Sequence, residues 1–194
     1  MNYLAHFFLS QETPAAIAGA LLGDHVRGDP SRQLPGAIAA AVVRHRQIDA
    51  FTDHHPRARQ SRQRIDASFH LVRPVMVDVF YDHFLARHWD RYSDAPLAEF
   101  AQRVHAALLT HLEYLPERIR VSVESGSALE WLTSYGDLEQ VGRALRRAAS
   151  RLRRPGRLGE GARELQRNYG GLEQDFLVFF PDVMSFVRQL PPAS

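Results

Sequence analysis

Apolar residues recur at intervals of three and four along nearly the whole chain, and stretches alternating at every second position are few, so the pattern predicts an almost entirely helical protein. The repeats place helices at about 2–10, 14–23, 36–54, 57–69, 74–93, 96–115, 126–135, 137–153 and 158–190. Punctuation agrees. Pro14, Pro56, Pro74, Pro96 and Pro116 stand where a helix should begin or break, because proline suits the first helical turn and disrupts the interior. Asp137, with Gln140 three residues on, reads as a capped helix start, and "RGDPSRQLPG" at 27–36 reads as a loop. Pro181 inside "FLVFFPDVMSF" should kink or restart the last helix. No internal repeat or low-complexity linker divides the 194 residues, so one compact all-α domain over 1–194 is expected.

Composition narrows the chemistry. A hydrophobic fraction of 45% with 24% charged residues is enough for a sizeable soluble core. There is no cysteine, which excludes disulfides, zinc–cysteine centres and thiol catalysis and leaves any metal to His, Asp or Glu. All 24 residues counted as Lys or Arg are arginine, at a net charge of +2. Heavy use of Ala and Arg together is what a GC-rich coding sequence yields, although a guanidinium also grips phosphate and carboxylate bidentately where an ammonium is a point charge. The opening "MNYLAHFFLSQETP" lacks a basic leader, and no apolar run approaches the roughly 18 to 20 residues that span a bilayer, so a cytoplasmic protein is expected.

Polar residues inside otherwise apolar segments carry the candidate chemistry. In "VVRHRQIDAFTDHHP" (42–56), His45, Asp49 and Asp53 rise along one helix face at intervals of four. "VDVFYDHFLARHWD" (77–90) sets Asp78, Asp82 and His83 among aromatic residues. There a carboxylate removed from water requires a cation, either an arginine such as Arg87 or a metal ion. His6 lies in the apolar "NYLAHFFL", where a lone histidine suits a core role as well as a ligand role. Asp24 stands at a helix end that disfavours anions, flanked by Gly23 and Gly28, which would let the backbone bend close to a ligand. Each feature alone is compatible with ordinary packing. Together, His6, Asp24, His45, Asp49 and Asp82 are distributed over four helical segments as the ligands of an interior bundle site are. Such mixed His and Asp ligation suits Mn²⁺, Fe²⁺ or Mg²⁺ better than a structural zinc.

Four motifs, "MNYLAHFFLS", "GALLGDHVRG", "HRQIDAFTDHHP" and "YDHFLARHW", resemble in order and spacing those of the acyl carrier protein phosphodiesterases, or acyl carrier protein hydrolases, as do the length and "FFPDVMSFV" near the carboxyl end. The resemblance implies hydrolysis of the phosphodiester joining 4'-phosphopantetheine to a serine of holo-acyl carrier protein. It also implies a distorted bundle related to the HD phosphohydrolases, and dependence on Mn²⁺, with Mg²⁺ or Fe²⁺ as alternatives. The His-Asp dipeptide of that wider group is absent in that order: the chain has "GDH" at 23–25 and "YDH" at 81–83. His6, Asp24, His45, Asp49 and Asp82 are therefore carried over as candidate ligands.

Such a hydrolysis needs an activated water, which a divalent ion supplies, and a proton for the departing serine oxygen. His83 and His25 are candidate donors, and Arg27, Arg44 and Arg46 are candidates to neutralise the phosphate. Residues 143–167 contain nine arginines against Glu160 and Glu164, a local charge of +7. Arg143, Arg146, Arg147, Arg151 and Arg154 share a helical face and would steer an acidic carrier protein. Two other readings stand beside this one: an HD-type hydrolase of a small nucleotide, and a non-catalytic helical module that binds acidic proteins or nucleic acid. Without aromatics among its arginines the basic segment lacks base-stacking partners, so no nucleic acid and no membrane partner is expected.

Overall fold

The computed structural model describes residues 1–150 and 152–191. Among these, eleven α-helices follow one another: α1 (Tyr3–Leu9), α2 (Pro14–Leu22), α3 (Gly36–His54), α4 (Pro56–Arg64), α5 (Arg73–Arg87), α6 (Leu97–Leu109), α7 (Glu117–Glu124), α8 (Ser127–Thr133), α9 (Leu138–Ala149), α10 (Ala162–Arg167) and α11 (Tyr169–Gln189). Short 3-10 turns join several of them, and there is no strand among the described residues. None of these helices is long and apolar enough to cross a membrane.

The marked helix starts are built as the sequence predicts. Thr13 accepts a hydrogen bond from the Ala16 N–H ahead of α2, His55 accepts from the Arg57 N–H ahead of α4, and Asp137 accepts from the Glu139 N–H ahead of α9. Three departures have local causes. The segment 117–124 is an unexpected helix, since Ile119, Val121 and Val123 alternate as in a strand. The expected helix over 158–190 is three pieces, interrupted around Gly161 and Asn168. Pro181 does not restart α11, which runs unbroken to Gln189. A proline in a helix interior costs about 3 kcal/mol through its lost hydrogen bond and ring clash together, and burying Phe176, Phe179, Phe180 and Val183 on the inner face outweighs it.

Helix α5 is the axis of the core. Met76, Val77, Val79, Phe80, Tyr81, Phe84 and Leu85 are all 2% exposed or less, and α5 packs on α1, α4, α9 and α11. Asp175 of α11, also buried, is held by Arg64 Nε at 2.7 Å and Ser61 Oγ at 3.0 Å, and Ser61 in turn lies 2.8 Å from the Tyr81 hydroxyl. This network ties α4, α5 and α11 together. A buried carboxylate without such partners would be strongly destabilising.

The amino-terminal helix is fixed from across the core. Asn2 supplies no side-chain cap to α1. Instead the fully buried Asp82 carboxylate of α5 accepts hydrogen bonds from the Leu4 N–H at 2.9 Å and the Ala5 N–H at 3.0 Å. These are unpaired donors of a first helical turn, where an anion is favoured. Burial still outweighs those two bonds and pushes the carboxyl up to about 7. The folded state therefore binds this proton more tightly than the unfolded chain, and Asp82 withdraws stability as pH rises from the ordinary 3.8 to about 7. The melting temperature of wild type relative to Asp82→Asn should fall across that window, as read by calorimetry at a series of pH values. A difference independent of pH would show that Asp82 ionises in the fold as easily as in the unfolded chain.

Candidate metal centre

Helices α1, α2 and α3 meet closely because α2 is lined with small residues. A Cβ on Gly19 would lie 2.3 Å from the Ala41 Cβ, and one on Gly23 would lie 2.2 Å from the His45 ring. Only glycine lets the imidazole of His45 rest against the end of α2. The sequence pointed to Gly23 for backbone bending, yet its backbone is ordinary right-handed helix and its use is space.

In that junction His6 from α1 meets His45 and Asp49, which stand one turn apart on α3. His6 Nε2 is 3.0 Å from Asp49 Oδ1, and His45 Nε2 is 3.1 Å from Asp49 Oδ2 and 3.5 Å from Asp24 Oδ1. The two imidazoles stack with centroids 3.7 Å apart and planes 13° from parallel. Ligand atoms from His6, His45 and Asp49 all lie within 4.8 Å of one another.

The hydrogen bonding makes this group suited to a cation. His45 Nδ1 lies 2.7 Å from the Ala20 carbonyl, which can only accept, so Nδ1 carries a proton and Nε2 faces the carboxylates. Nε2 is buried within ion-pair distance of both carboxylates without a well-formed hydrogen bond, and His6 Nδ1 is buried without a partner. An unpaired nitrogen beside two carboxylates, with no sulfur donor, fits a divalent cation bound by nitrogen and oxygen.

The electrostatics of the group follow from the same crowding. Burial opposes charge on His45, but the adjacent Asp24 and Asp49 outweigh it and lift the imidazole to about 9. Burial together with the charge of His45 pushes His6 down to about 4. Two stacked imidazoles at this distance carry one positive charge between them. Asp49 resists burial and stays far below the usual carboxylate range, held there by the Met1 α-ammonium and both histidines. That ammonium lies 3.1 Å from Asp49 Oδ1 and 3.6 Å from Asp78 Oδ1.

Other candidates are placed differently. Asp82 stands outside this group, because both of its oxygens cap α1; one turn earlier, Asp78 is the α5 carboxylate that faces Met1. His83 is buried against the Tyr135 carbonyl (Nδ1, 2.9 Å) and the Tyr169 hydroxyl (Nε2, 3.1 Å), which occupies both ring nitrogens away from the cluster. Arg44 donates to the Val187 and Pro191 carbonyls at the end of α11, and Arg46 to the Val26 and Gly28 carbonyls, each at 2.8 Å. Both guanidiniums are thereby committed to the backbone. His25 follows Asp24 directly, with Nε2 3.1 Å from the Tyr3 hydroxyl, and Arg27 is exposed on the loop beyond. Of the basic residues, Arg143, Arg146 and Arg147 are exposed on α9. Helix α9 ends at Ala149, so Arg154 does not continue that face, and Arg151 lies outside the described residues. Sequence reasoning did not reach the Met1 α-ammonium; the spacing of four between Asp78 and Asp82 was the signal available for Asp78.

Residues 1–183 match the family model described as acyl carrier protein phosphodiesterase. The chain is 35% identical over 185 residues to an acyl carrier protein phosphodiesterase of Serratia proteamaculans, an alignment covering 95% of this chain and 96% of that one. It is 34% identical to proteins of the same name from Yersinia pestis and Escherichia coli O157:H7, with the same coverage. No solved structure matches it significantly. Full-length similarity and the His6–His45–Asp49 group together assign the chain, an all-α bundle consistent with a distorted HD-phosphohydrolase fold, to the acyl carrier protein phosphodiesterase family.

Proposed function

We propose that the chain, as one domain over 1–194, is a metal-dependent phosphodiesterase that hydrolyses the bond between 4'-phosphopantetheine and the serine of holo-acyl carrier protein. The observation that carries this reading is the buried His45 Nε2 left unpaired beside Asp49 and Asp24 in a chain of this family. His6, His45 and Asp49 would hold the cation, with Asp24 beside them, and Mn²⁺ is the ion we assign. When bound, it supplies an acidified water and polarises a phosphoryl oxygen. His25, next to Asp24 and steadied by the Tyr3 hydroxyl, is placed to protonate the departing serine oxygen. Arg27 is the exposed arginine nearest in sequence to that site and is assigned to the phosphate. Arg143, Arg146 and Arg147 give an acidic carrier protein a cationic face to approach. The reaction is a cytoplasmic one in this reading.

Four experiments test the assignment. Gly23→Ala would drive a Cβ into the His45 ring and should weaken Mn²⁺ binding about tenfold or more, read by titration calorimetry. Unchanged affinity would remove His45 from the site. Incubation of the Mn²⁺-loaded protein with holo-acyl carrier protein should convert the carrier to its apo mass, and Asp49→Asn should abolish the conversion. His25→Gln should lower kcat by about 10²–10⁴-fold. Replacing both Arg143 and Arg146 by Glu should instead raise KM, with a difference that shrinks as salt increases. A carrier whose mass never changes with any divalent metal would refute the function.

A further inference from the structure

Beside the metal centre lies a cavity of about 500 Å³ that none of the hydrolytic chemistry accounts for. Its wall is largely aliphatic and aromatic, formed by Leu21, Leu108, Ile119, Val123, Ala128 and Trp131 from α2, α6, α7 and α8. Trp131 is braced by Tyr3 (centroids 5.2 Å) and Tyr135 (5.9 Å), and the Asn2 amide donates to the Tyr135 hydroxyl at 2.6 Å. Polar groups are fewer: the Ser122 and Ser127 hydroxyls, 2.8 Å apart, and the Ser150 hydroxyl stand among the apolar residues, with Glu117 and Arg118 of α7 also on the lining. Size and lining are those of a small-molecule site in which a few polar groups orient a mostly apolar ligand.

The cavity reaches the metal centre along two separate stretches of chain. Asn2 and Tyr3 line it immediately after Met1, whose α-amino group is 3.1 Å from Asp49. His25 lines it immediately after Asp24, whose carboxylate is 3.5 Å from His45 Nε2. Its far side is closed by Ala144, Arg147 and Ser150, on and just after the arginine-bearing helix α9.

We propose that this cavity binds the pantetheine arm of the substrate, so that the arm is held while its phosphodiester is presented at the His6–His45–Asp49 group. The proposal rests on the function proposed above. Pantetheine is an uncharged, flexible chain with a geminal dimethyl group, a hydroxyl, two amides and a thiol. Such a chain needs apolar wall for its methyls and methylenes and polar groups for its amides and hydroxyl; the apolar residues supply the first, and the serines, alongside Glu117, Arg118 and Arg147, supply the second. Specificity would then come from the arm as well as from the acidic surface of the carrier, and binding energy from this remote part of the substrate would serve to position the reacting phosphorus.

The chain's two tryptophans make the test direct. Trp131 lines the cavity, whereas Trp89 is 4% exposed and bonded through Nε1 to the Ala95 carbonyl at 2.7 Å. Titrating pantetheine into the full chain without metal should give a saturable change in tryptophan fluorescence that is lost in Trp131→Phe. Ser122→Phe, at a half-buried position that needs no core repacking, should weaken that response and raise the KM for holo-acyl carrier protein about tenfold while kcat changes far less. No saturable response in wild type, or a response to adenosine and none to pantetheine, overturns the proposal. So does an unchanged KM in a folded Ser122→Phe that still hydrolyses the carrier. A Trp131-dependent pantetheine response in a protein that hydrolyses no carrier with any divalent metal would support the cavity's ligand and refute the function instead, so the two can fail separately.

Discussion

The carboxylate of Asp49 gathers three nitrogens within 3.1 Å: the α-amino group of Met1, Nε2 of His6 and Nε2 of His45. Met1 and His6 belong to the amino-terminal stretch and His45 to α3, the helix of Asp49 itself, so one anion joins the start of the chain to α3. Such a grouping would be costly if its charges did not balance, because partly desolvated charges interact strongly and unpaired ones are heavily penalised. The balance comes from the ammonium and from one imidazolium charge, which settles on His45, with its two carboxylate neighbours, rather than on His6. A divalent cation in the same place would supply the positive charge that the imidazolium provides. The group's fitness for a cation and the high proton affinity of His45 therefore have one cause, the crowding of carboxylates around His45.

Helix α5 supports this arrangement by sending adjacent polar residues to different neighbours. Residues four apart lie on one helix face and the next residue turns away from it, so Asp78 and Asp82 both meet the amino-terminal segment while His83 meets a different part of the fold. Asp78 faces the Met1 ammonium, Asp82 caps α1, and His83 bridges the Tyr135 carbonyl to the Tyr169 hydroxyl. All three answer the question that a charged, aromatic-rich helix raises. In each case the partner is protein.

The contrast between what could and could not be read from the sequence follows from that. Helix starts were legible because proline and capping residues act locally: Pro14, Pro56 and Asp137 stand where they do for reasons confined to one turn. His6, His45 and Asp49 were legible as a set because imidazoles and carboxylates in apolar segments require partners, and few partners were available. Asp82 met the same criterion and found its partner in two backbone N–H groups, which have no signature in sequence. Arg44 and Arg46 were illegible for a related reason, since a guanidinium satisfied by two carbonyls looks the same in sequence as one awaiting a phosphate. Helix α7 was missed because Ile119, Val121 and Val123 mimic a strand, and with it was missed a wall of the cavity.

Helix α1 belongs to both the metal centre and the cavity, and this explains why a buried carboxylate is placed under its first turn. Only seven residues long, it would be marginal in isolation, since a short helix leaves most of its backbone groups unpaired. Yet His6 points from it to Asp49, while Tyr3 and Asn2, one turn earlier, reach His25 and Tyr135 at the cavity. A shift of α1 along its own axis would therefore misplace a metal-ligating imidazole and the partner of His25 together. Asp82 holds Leu4 and Ala5 at the two positions between those residues, where neither slide nor rotation can occur without leaving a buried donor unpaired. The raised proton affinity of this carboxylate is the electrostatic cost of fixing, from inside the core, the one helix on which both parts of the site depend.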